Sequence, residues 1–454
     1  MNTEKLLKQV TDNVDTITKQ DSPLGIVLWQ EFIQLHPADI AQFLTDSLKD
    51  TAQKLFIQLP QELKVEVLSD GSPAMMLQCL SFLSEAERSA VLGNLPIDEL
   101  TDFFDELSDE ELKKYLRLLH KQDREKVVSL MKFDPETAGG IMHTDVITLM
   151  QDFTIEKSIT ILQRLQPRVE LHPNIYVTNQ NNELVGHINL EDLVLKSPQT
   201  RLSSILRKNE LVLRPDEDQE KIAQQMVHYN LATAAVVGDN NVFLGMIPSE
   251  EVAYIIEQEA AEDVYRMAAV GPIKYTYFET PFFKLLYQRS SILIVLLLVQ
   301  IFSSAIIQHY EDLLKGFLIL FITMIQSTGG NSSSQSSAIA IQGISSGEIS
   351  SVNIYRFLRR EMLMACVIGC ILAVVSFARI YALHAGNIWG NIAVSVALGV
   401  IVIVSNLLGS LIPVALRRLN LDPAFSAGPF LATLMDILGL LIYCYIGQFF
   451  LGLS

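Results

Sequence analysis

The sequence predicts three unlike parts in series: an all-α superhelical N-terminal domain, a tandem pair of small α/β modules, and a five-helix α transmembrane domain. Three observations predict them. A 12-residue step recurs between residues 59 and 120, a second internal repeat at an offset of 59 residues occupies about 140 to 255, and five apolar stretches follow about residue 285. Charge divides the chain in the same way. Residues 285–454 hold six acids and eight bases, so the first 284 residues carry a surplus of 19 acids within a whole-chain net charge of −17. A region that acidic concentrates cations and repels nucleic acid, which removes nucleic-acid binding from the candidate functions.

In the N-terminal part, residues 1–138, the step is marked by "LPQEL" at 59, "LSEAE" at 83, "LPIDE" at 95, "LSDEE" at 107 and "LHKQD" at 119, with "GSP" at 71 in phase. Pro60 and Pro96 suit a first helical position, and Ser84 with Glu87, like Ser108 with Glu111, fits a capping box. Short helices at a fixed step bury a shared core only by stacking, hence the superhelical expectation. Asp98 and Asp102 share one helix face near Asp105 and Glu106. They form either a solvated acidic face or a cation site shared with another domain. The first residues, "MNTEKLLKQVTDNVDTITKQD", lack the apolar core of a signal peptide, so this part is expected in the cytosol. Cys366, Cys370 and Cys444 lie in apolar runs and only Cys79 precedes them, a pattern of small hydrophobes rather than disulfides or metal ligands.

The next part reads as two modules, 139–200 and 201–255. "PNIYVTNQNNELVGHINLEDLV" (173–194) and "TAAVVGDNNVFLGMIPSEEVA" (233–253) align so that Gly186 pairs with Gly245 and Ile188 with Ile247. Each copy reads as helix, strand, turn, strand, helix. The pair resembles tandem CBS domains, and "GHINLED" resembles the segment where such domains contact the ribose of an adenine nucleotide. Asn189 stands where Ser or Thr is usual, and the second copy has Pro248 and no terminal Asp. An ATP site using Asp192 and a purely structural module are the two alternatives. A connecting helix is expected over 249–275, rich in Ala, Glu and Ile and stopped by Gly271-Pro272.

The transmembrane part, residues 285–454, holds apolar stretches at about 290–309, 313–343, 360–383, 388–416 and 424–452. Each is long enough for a hydrocarbon core of roughly 30 Å. Lys284, Arg289, Arg356, Arg359, Arg360, Arg417 and Arg418 fall on the side shared with the acidic region, and only Lys315 and Arg379 on the other. That asymmetry predicts a cell (inner) membrane protein with a cytoplasmic N-terminus and the C-terminus outside. The run "STGGNSSSQSSAIAIQGISSG" (327–347) suits either close helix packing or a water-filled pathway. In "FLATLMDILGLLIYCYIG" (430–447) Asp436 is a lone carboxylate in an apolar helix. Its cost is several kcal/mol unless a wet cavity, a counter-charge or an ion faces it, and no Lys, Arg or His lies at that depth in neighbouring spans, so the expected partner is a cation.

"LHPADIA" (35–41), "DPETAGGIM" (134–142), the paired modules, "GGNSSSQSS" (329–337), "LDPAFSAGPFLATLMDILG" (421–439) and the order of the parts together resemble the MgtE magnesium transporters and channels. The resemblance implies a homodimer in membrane lipid, five spans per subunit, a central pore and a cytosolic Mg²⁺ sensor. It implies that Asp436 binds hydrated Mg²⁺, that Asn331 with Gly329 and Gly330 lines the cytosolic half of the pore, and that Glu311 stands near the outer mouth. On the sensor side it implies metal-binding roles for Asp98, Asp102, Glu250 and Glu251. Glu259 and Asp263 are implied to share an ion with Asp422. Mg²⁺ keeps several waters while contacting one or two carboxylates, which agrees with a single Asp per subunit. Departures from the family pattern are Thr323 and Ser327 where Pro and Gly are common, Ser333 for a glycine, Gln342 for an arginine, and Asn230 and Tyr254 for acids of the sensor.

Three functions compete on these observations: a channel-like Mg²⁺ uptake system, an ion-coupled divalent-cation carrier or exporter with CBS regulation, and an intramembrane enzyme. Co²⁺ and Mn²⁺ are the alternative cargoes. No H-E-x-x-H occurs among the eight histidines, and no Ser, His and acid combine within the spans, so the chain is not expected to be an enzyme.

Overall fold

The computed structural model describes residues 3–19, 22–165, 172–271, 280–350, 352–383, 387–419, 421–426 and 428–451. The chain divides into two compact units, Met1–Ile256 and Glu257–Ser454. The first opens with α1 (Thr3–Asp12), α2 (Val14–Lys19) and α3 (Pro23–Phe32). It continues with α4 (Pro37–Asp46), α5 (Lys49–Gln58), α6 (Gln61–Ser69), α7 (Pro73–Phe82), α8 (Glu85–Leu92), α9 (Ile97–Asp105), α10 (Asp109–Leu116) and α11 (Lys121–Leu130).

From α4 onward every helix starts twelve residues after the one before, at 37, 49, 61, 73, 85, 97, 109 and 121. The array is thus two helices longer at its front than the step between 59 and 120 reveals. Helices two apart pack on each other, α4 on α6, α5 on α7, α6 on α8, α7 on α9 and α9 on α11. They bury Phe32, Phe56, Phe103 and Phe104, each worth roughly 1.5–3 kcal/mol relative to exposure. Ser84 and Glu87 form the full reciprocal capping box. Ser108 instead bonds the Glu111 carboxylate with its hydroxyl, at 2.7 Å, and caps no backbone N–H. Pro60 and Pro96 stand at the N-cap, one position before the first helical residue expected for them; a missing N–H is harmless at either place.

After α12 (Ala138–Ile141) come two three-stranded sheets. The first holds β1 (Thr148–Met150), β2 (Asn174–Thr178) and β3 (Leu184–Asn189), with α13 (Ile155–Leu165) and α14 (Asp192–Leu195). The second holds β4 (Val212–Leu213), β5 (Thr233–Val237) and β6 (Phe243–Pro248), with α15 (Gln219–Tyr229) and α16 (Ser249–Met267). The 59-residue offset extends to the ladder: Ile175 pairs Ile188 as Ala234 pairs Ile247, and Val177 pairs Gly186 as Val236 pairs Gly245. The parallel edge strands β1 and β4 add to the expected pattern.

The two modules exchange their leading segments. Arg207 bonds along β3 through His187, while His143 bonds along β6 through Met246. A Cβ on Gly186 would stand 2.5 Å from the Arg207 carbonyl, and one on Gly245 would stand 2.4 Å from that of His143. Glycine at these two aligned positions is what lets the crossing backbones approach.

In the second unit α17 (Phe282–Val299) and α18 (Ile301–His309) meet at Gln300, and α19 (Glu311–Leu314) precedes a 3₁₀ turn at Leu318–Phe321. Then come α20 (Ile322–Ser345), α21 (Ile354–Leu383), α22 (Ile388–Arg418), a 3₁₀ turn at Pro423–Ser426, and α23 (Pro429–Leu451). Among the described residues four segments, Phe282–His309, Ile354–Leu383, Ile388–Arg418 and Pro429–Leu451, are long and apolar enough to cross a membrane. The fifth long helix, α20, has 24 residues but is diluted by serine, glycine and glutamine. It starts at Ile322 rather than near 313 because Gly316, at φ +89°, turns the chain first. The connecting helix ends at Met267 rather than 275, and Pro272, invoked as its stop, lies outside the described residues. Large apolar side chains such as Leu293, Leu297, Leu363, Val374 and Val375 face outward from α17 and α21, as lipid contact requires.

Candidate ion sites

Asp436 lies half-buried about a third of the way along α23. Among the described residues it has no basic partner; the side-chain amide of Gln300, at the junction of α17 and α18, hydrogen-bonds it instead. On the same helix, Ile437 and Leu441 close an apolar cleft of about 490 Å³ with Phe302, Ala305, Ile306, His309 and Tyr310. Gln300 drew no notice in the sequence because an amide beside an apolar run has no spacing that ties it to another span.

The α20 helix crosses α23 at this level. A Cβ on Gly330 would touch Ala432 at 3.4 Å, and one on Gly329 would meet Ile401 at 3.2 Å and Met435 at 3.7 Å. Both glycines are buried where α20 approaches α22 and α23 closely. Asn331 points the other way. It belongs to an exposed line of Thr323, Ser327, Asn331, Gln335, Ile339 and Gln342, spaced three or four residues apart on one helix face. Five of those six side chains are polar, and a polar face on a helix of spanning length demands water or a second protein surface. Glu311 lies apart from this line, exposed and paired with Lys315 at 3.3 Å. Such a pair is worth little.

In the first unit, α9 carries Asp98 and Asp102 on one face with Glu99 beside them, and the exchanged segment brings His143 against them. His143 Nε2 lies 3.3 Å from Asp98 Oδ2 and 3.9 Å from Glu251 Oε2 at the start of α16. Asp145 follows on the same segment and binds Lys126 of α11 at 2.9 Å. Glu250 is exposed beside this cluster, near the Ser249 hydroxyl. Burial, then repulsion from Asp98 and Asp102, pushes Glu99 up to about 8. Burial and the charges of Asp98, Glu251 and Asp105 push Asp102 up to about 7, although its exposed edge lets solvent screen part of this. Burial also raises Asp98. For His143 burial opposes the charged form, but the nearby carboxylates of Glu251, Asp98 and Glu99 outweigh it and raise the imidazole.

These acids are therefore crowded and short of positive charge. The cluster is most stable when the carboxylates are protonated, below their unfolded values of about 4, and loses that stability as pH rises through about 7 and about 8. His143 contributes in the same direction, since its raised value makes its support vanish as it deprotonates. Amides of α9 and of the start of α16 are accordingly expected to exchange faster at about pH 8.5 than at about pH 5.5 after correction for intrinsic rates, with saturating Mg²⁺ removing the difference. Hydrogen exchange on the whole protein measures this, and equal protection at both pH values would contradict it.

Of the implied trio of Glu259, Asp263 and Asp422, the last two have partners within the protein. Asp422 is paired with Arg266, which also pairs with Glu262 one turn back on α16. Its second carboxylate oxygen takes the Ala424 N–H at 2.7 Å. Asp263 instead accepts the Ser345 hydroxyl at 3.0 Å. Asp192 is likewise committed: it is buried, and one oxygen accepts the Asn189 N–H at 3.1 Å and faces Arg207 at 3.3 Å. Among the described residues no three His, Cys, Asp or Glu side chains gather closely enough to ligate a bare ion. Binding through retained waters is the mode open to the clusters present.

Comparison with known proteins accounts for nearly the whole chain. Residues 35–136 match the MgtE intracellular N domain, 138–198 and 202–257 match CBS domains, and 322–446 match the MgtE divalent cation transporter domain. The magnesium transporter MgtE of Thermus thermophilus is 29% identical over 424 residues, covering 92% of this chain and 94% of the relative. That of Bacillus subtilis is 28% identical over 420 residues, 92% of each chain. Among solved structures, the soluble part of a magnesium transporter superposes with a TM-score of 0.50 at 23% identity, covering 57% of this chain and all of the other. With the same parts in the same order and relatives matched almost end to end, the chain belongs to the MgtE family of magnesium transporters, membrane proteins that are not enzymes.

Proposed function

We propose that two copies of the chain form a two-fold, channel-like pore that conducts hydrated Mg²⁺ into the cell past Asp436, under control of the acid cluster at Asp98, Asp102, Glu250 and Glu251. The observation that carries this reading is the polar line on α20, from Thr323 to Gln342, left exposed beside an apolar helix that holds a half-buried carboxylate. Apposing a second copy across that line would give it a wet partner, and two Asp436 side chains near one axis would repel unless a cation lay between them. The ion keeps its waters, which Asn331 and its polar neighbours can hydrogen-bond. Flux into liposomes, with and without H⁺ or Na⁺ gradients, tests the reading. Gradient-independent Mg²⁺ flux supports a channel; dependence on a counter-ion favours the carrier. Competition by Co²⁺ and Mn²⁺ sets the cargo.

The arginine asymmetry supports a cytoplasmic N-terminus and an external C-terminus. A cysteine placed at Ser454 is expected to react with an impermeant label in intact cells; reaction only after permeabilisation would reverse the topology. Regulation follows from charge. Mg²⁺ bridges the crowded acids of α9 and α16 in the first unit, and the missing acids at Asn230 and Tyr254 weaken that bridge. Asn230 has a structural role as well: at φ +52° it ends α15 in the left-handed conformation that Asn tolerates and Asp shares. Asn230→Asp with Tyr254→Asp is expected to shift closure to lower cytosolic Mg²⁺, read as channel activity across a titration. An unshifted curve would place the sensor wholly on the acids already present. For the CBS modules, the inward commitment of Asp192 to Arg207 favours the structural alternative over an ATP site, and ATP titration of the whole protein distinguishes them.

A further inference from the structure

The last turns of α16 lie within the second unit, and Arg266 there is surrounded by acid. Its guanidinium pairs with Glu262 on the same helix and with Asp422 just before the 3₁₀ turn that leads into α23. The ring of Phe425, from that turn, lies 5.2 Å from the guanidinium carbon. Arg266, Glu262 and Asp422 expose only 23%, 21% and 22% of their side chains, so solvent screens this triad much less than a surface pair. Met267 packs beside it on Ile341 and Ala424, and Asp263 is bonded to Ser345 at the end of α20. One helix end is thereby fixed to both α20 and the approach to α23.

Guanidinium suits this place. It is charged at every accessible pH, it offers donors to two carboxylates at once, and its face stacks on an aromatic ring. A divalent ion entering between Asp422 and its neighbours would have to displace a cation already covalently present. The acids implied to share an ion therefore do not fit one here, because the protein supplies the positive charge itself.

We infer that Arg266 is a tethered cation that holds the end of α16 to the α20 and α23 ends without Mg²⁺, so this joint is insensitive to the ion that the acid cluster of the first unit senses. The inference rests on the gating reading of α16 only for its consequence for flux; the joint itself can be read without transport. A cross-link between Met267→Cys and Ala424→Cys, in full-length protein in liposomes, reports whether the joint is closed. With Arg266 in place, the yield is expected to be the same in chelator as in saturating Mg²⁺. With Arg266→Gln, Glu262 and Asp422 repel, and the yield in chelator is expected to fall roughly tenfold, the effect of breaking a partly screened pair. Mg²⁺ should then restore it, which also shows that the variant is folded. A cross-link in the Arg266 protein that itself requires Mg²⁺ would overturn the inference without any variant, as would an Arg266→Gln protein that stays closed in chelator. Neither result bears on Asp436.

Discussion

Replacing Asp436 with Asn is expected to reduce divalent flux in liposomes to the level of protein-free vesicles while expression and assembly stay normal. Asn matches the shape of Asp and can still pair with the Gln300 amide, so the packing of α23 against α17, α18 and α20 has no reason to change. What disappears is the negative charge at the level where Gly329 and Gly330 seat α20 on α23. A hydrated divalent ion entering a low-dielectric span has few ways to recover its lost solvation, and a carboxylate is the strongest of them. Undiminished Mg²⁺ flux through correctly assembled Asp436→Asn protein would exclude this residue as the ion's contact.

Gly409→Val is the second large effect, and it acts on the fold. A Cβ at Gly409 would stand 2.4 Å from the Ser333 carbonyl and 3.0 Å from the Ser336 Cβ, so α20 and α22 must separate to admit any side chain. Separation also strains the hydroxyl of Ser336, which donates to Asn406 Oδ1 at 2.5 Å in a buried contact between the same helices. Overpacking of this kind costs about 3 kcal/mol, and the lost hydrogen bond in an apolar setting adds to it. The expected outcome is a lower melting temperature in detergent, reduced assembly, and flux lost in proportion to assembled protein. Wild-type stability in Gly409→Val would mean that the two helices are not in close contact there.

The parts legible in the sequence were those written in local spacing. The twelve-residue step was readable where Ser, Pro and acids mark each helix start. Before residue 59 the mark is shifted: Pro37 stands at the first helical position rather than before it, and Leu48 precedes α5 with no side-chain cap. The edge strands β1 and β4 were missed because three and two residues are too few to show alternation. Asp436 stood out as one carboxylate in an apolar run. His143 and Arg266 did not, although each is central to its cluster, because their partners are set by the exchanged segment and by the fold-back of the last helices. The pairing of Asp422 with Arg266 is equally hidden from the sequence, because the two residues lie far apart along the chain.

The exchanged leading segments set an order on synthesis. The segment carrying His143 needs β6 as its partner, whereas β3 needs only the segment at Arg207, so the second sheet is completed later than the first. Only when the chain has been made past Glu251 can His143 settle between Asp98 and that residue. The first apolar rod begins at Phe282, shortly afterwards. N-terminal units fold first during translation, so the nascent chain can complete its acidic half in the aqueous phase before any span is delivered to the lipid. A truncation between Arg207 and β6 leaves the His143 segment without its strand while the first sheet still has the Arg207 segment.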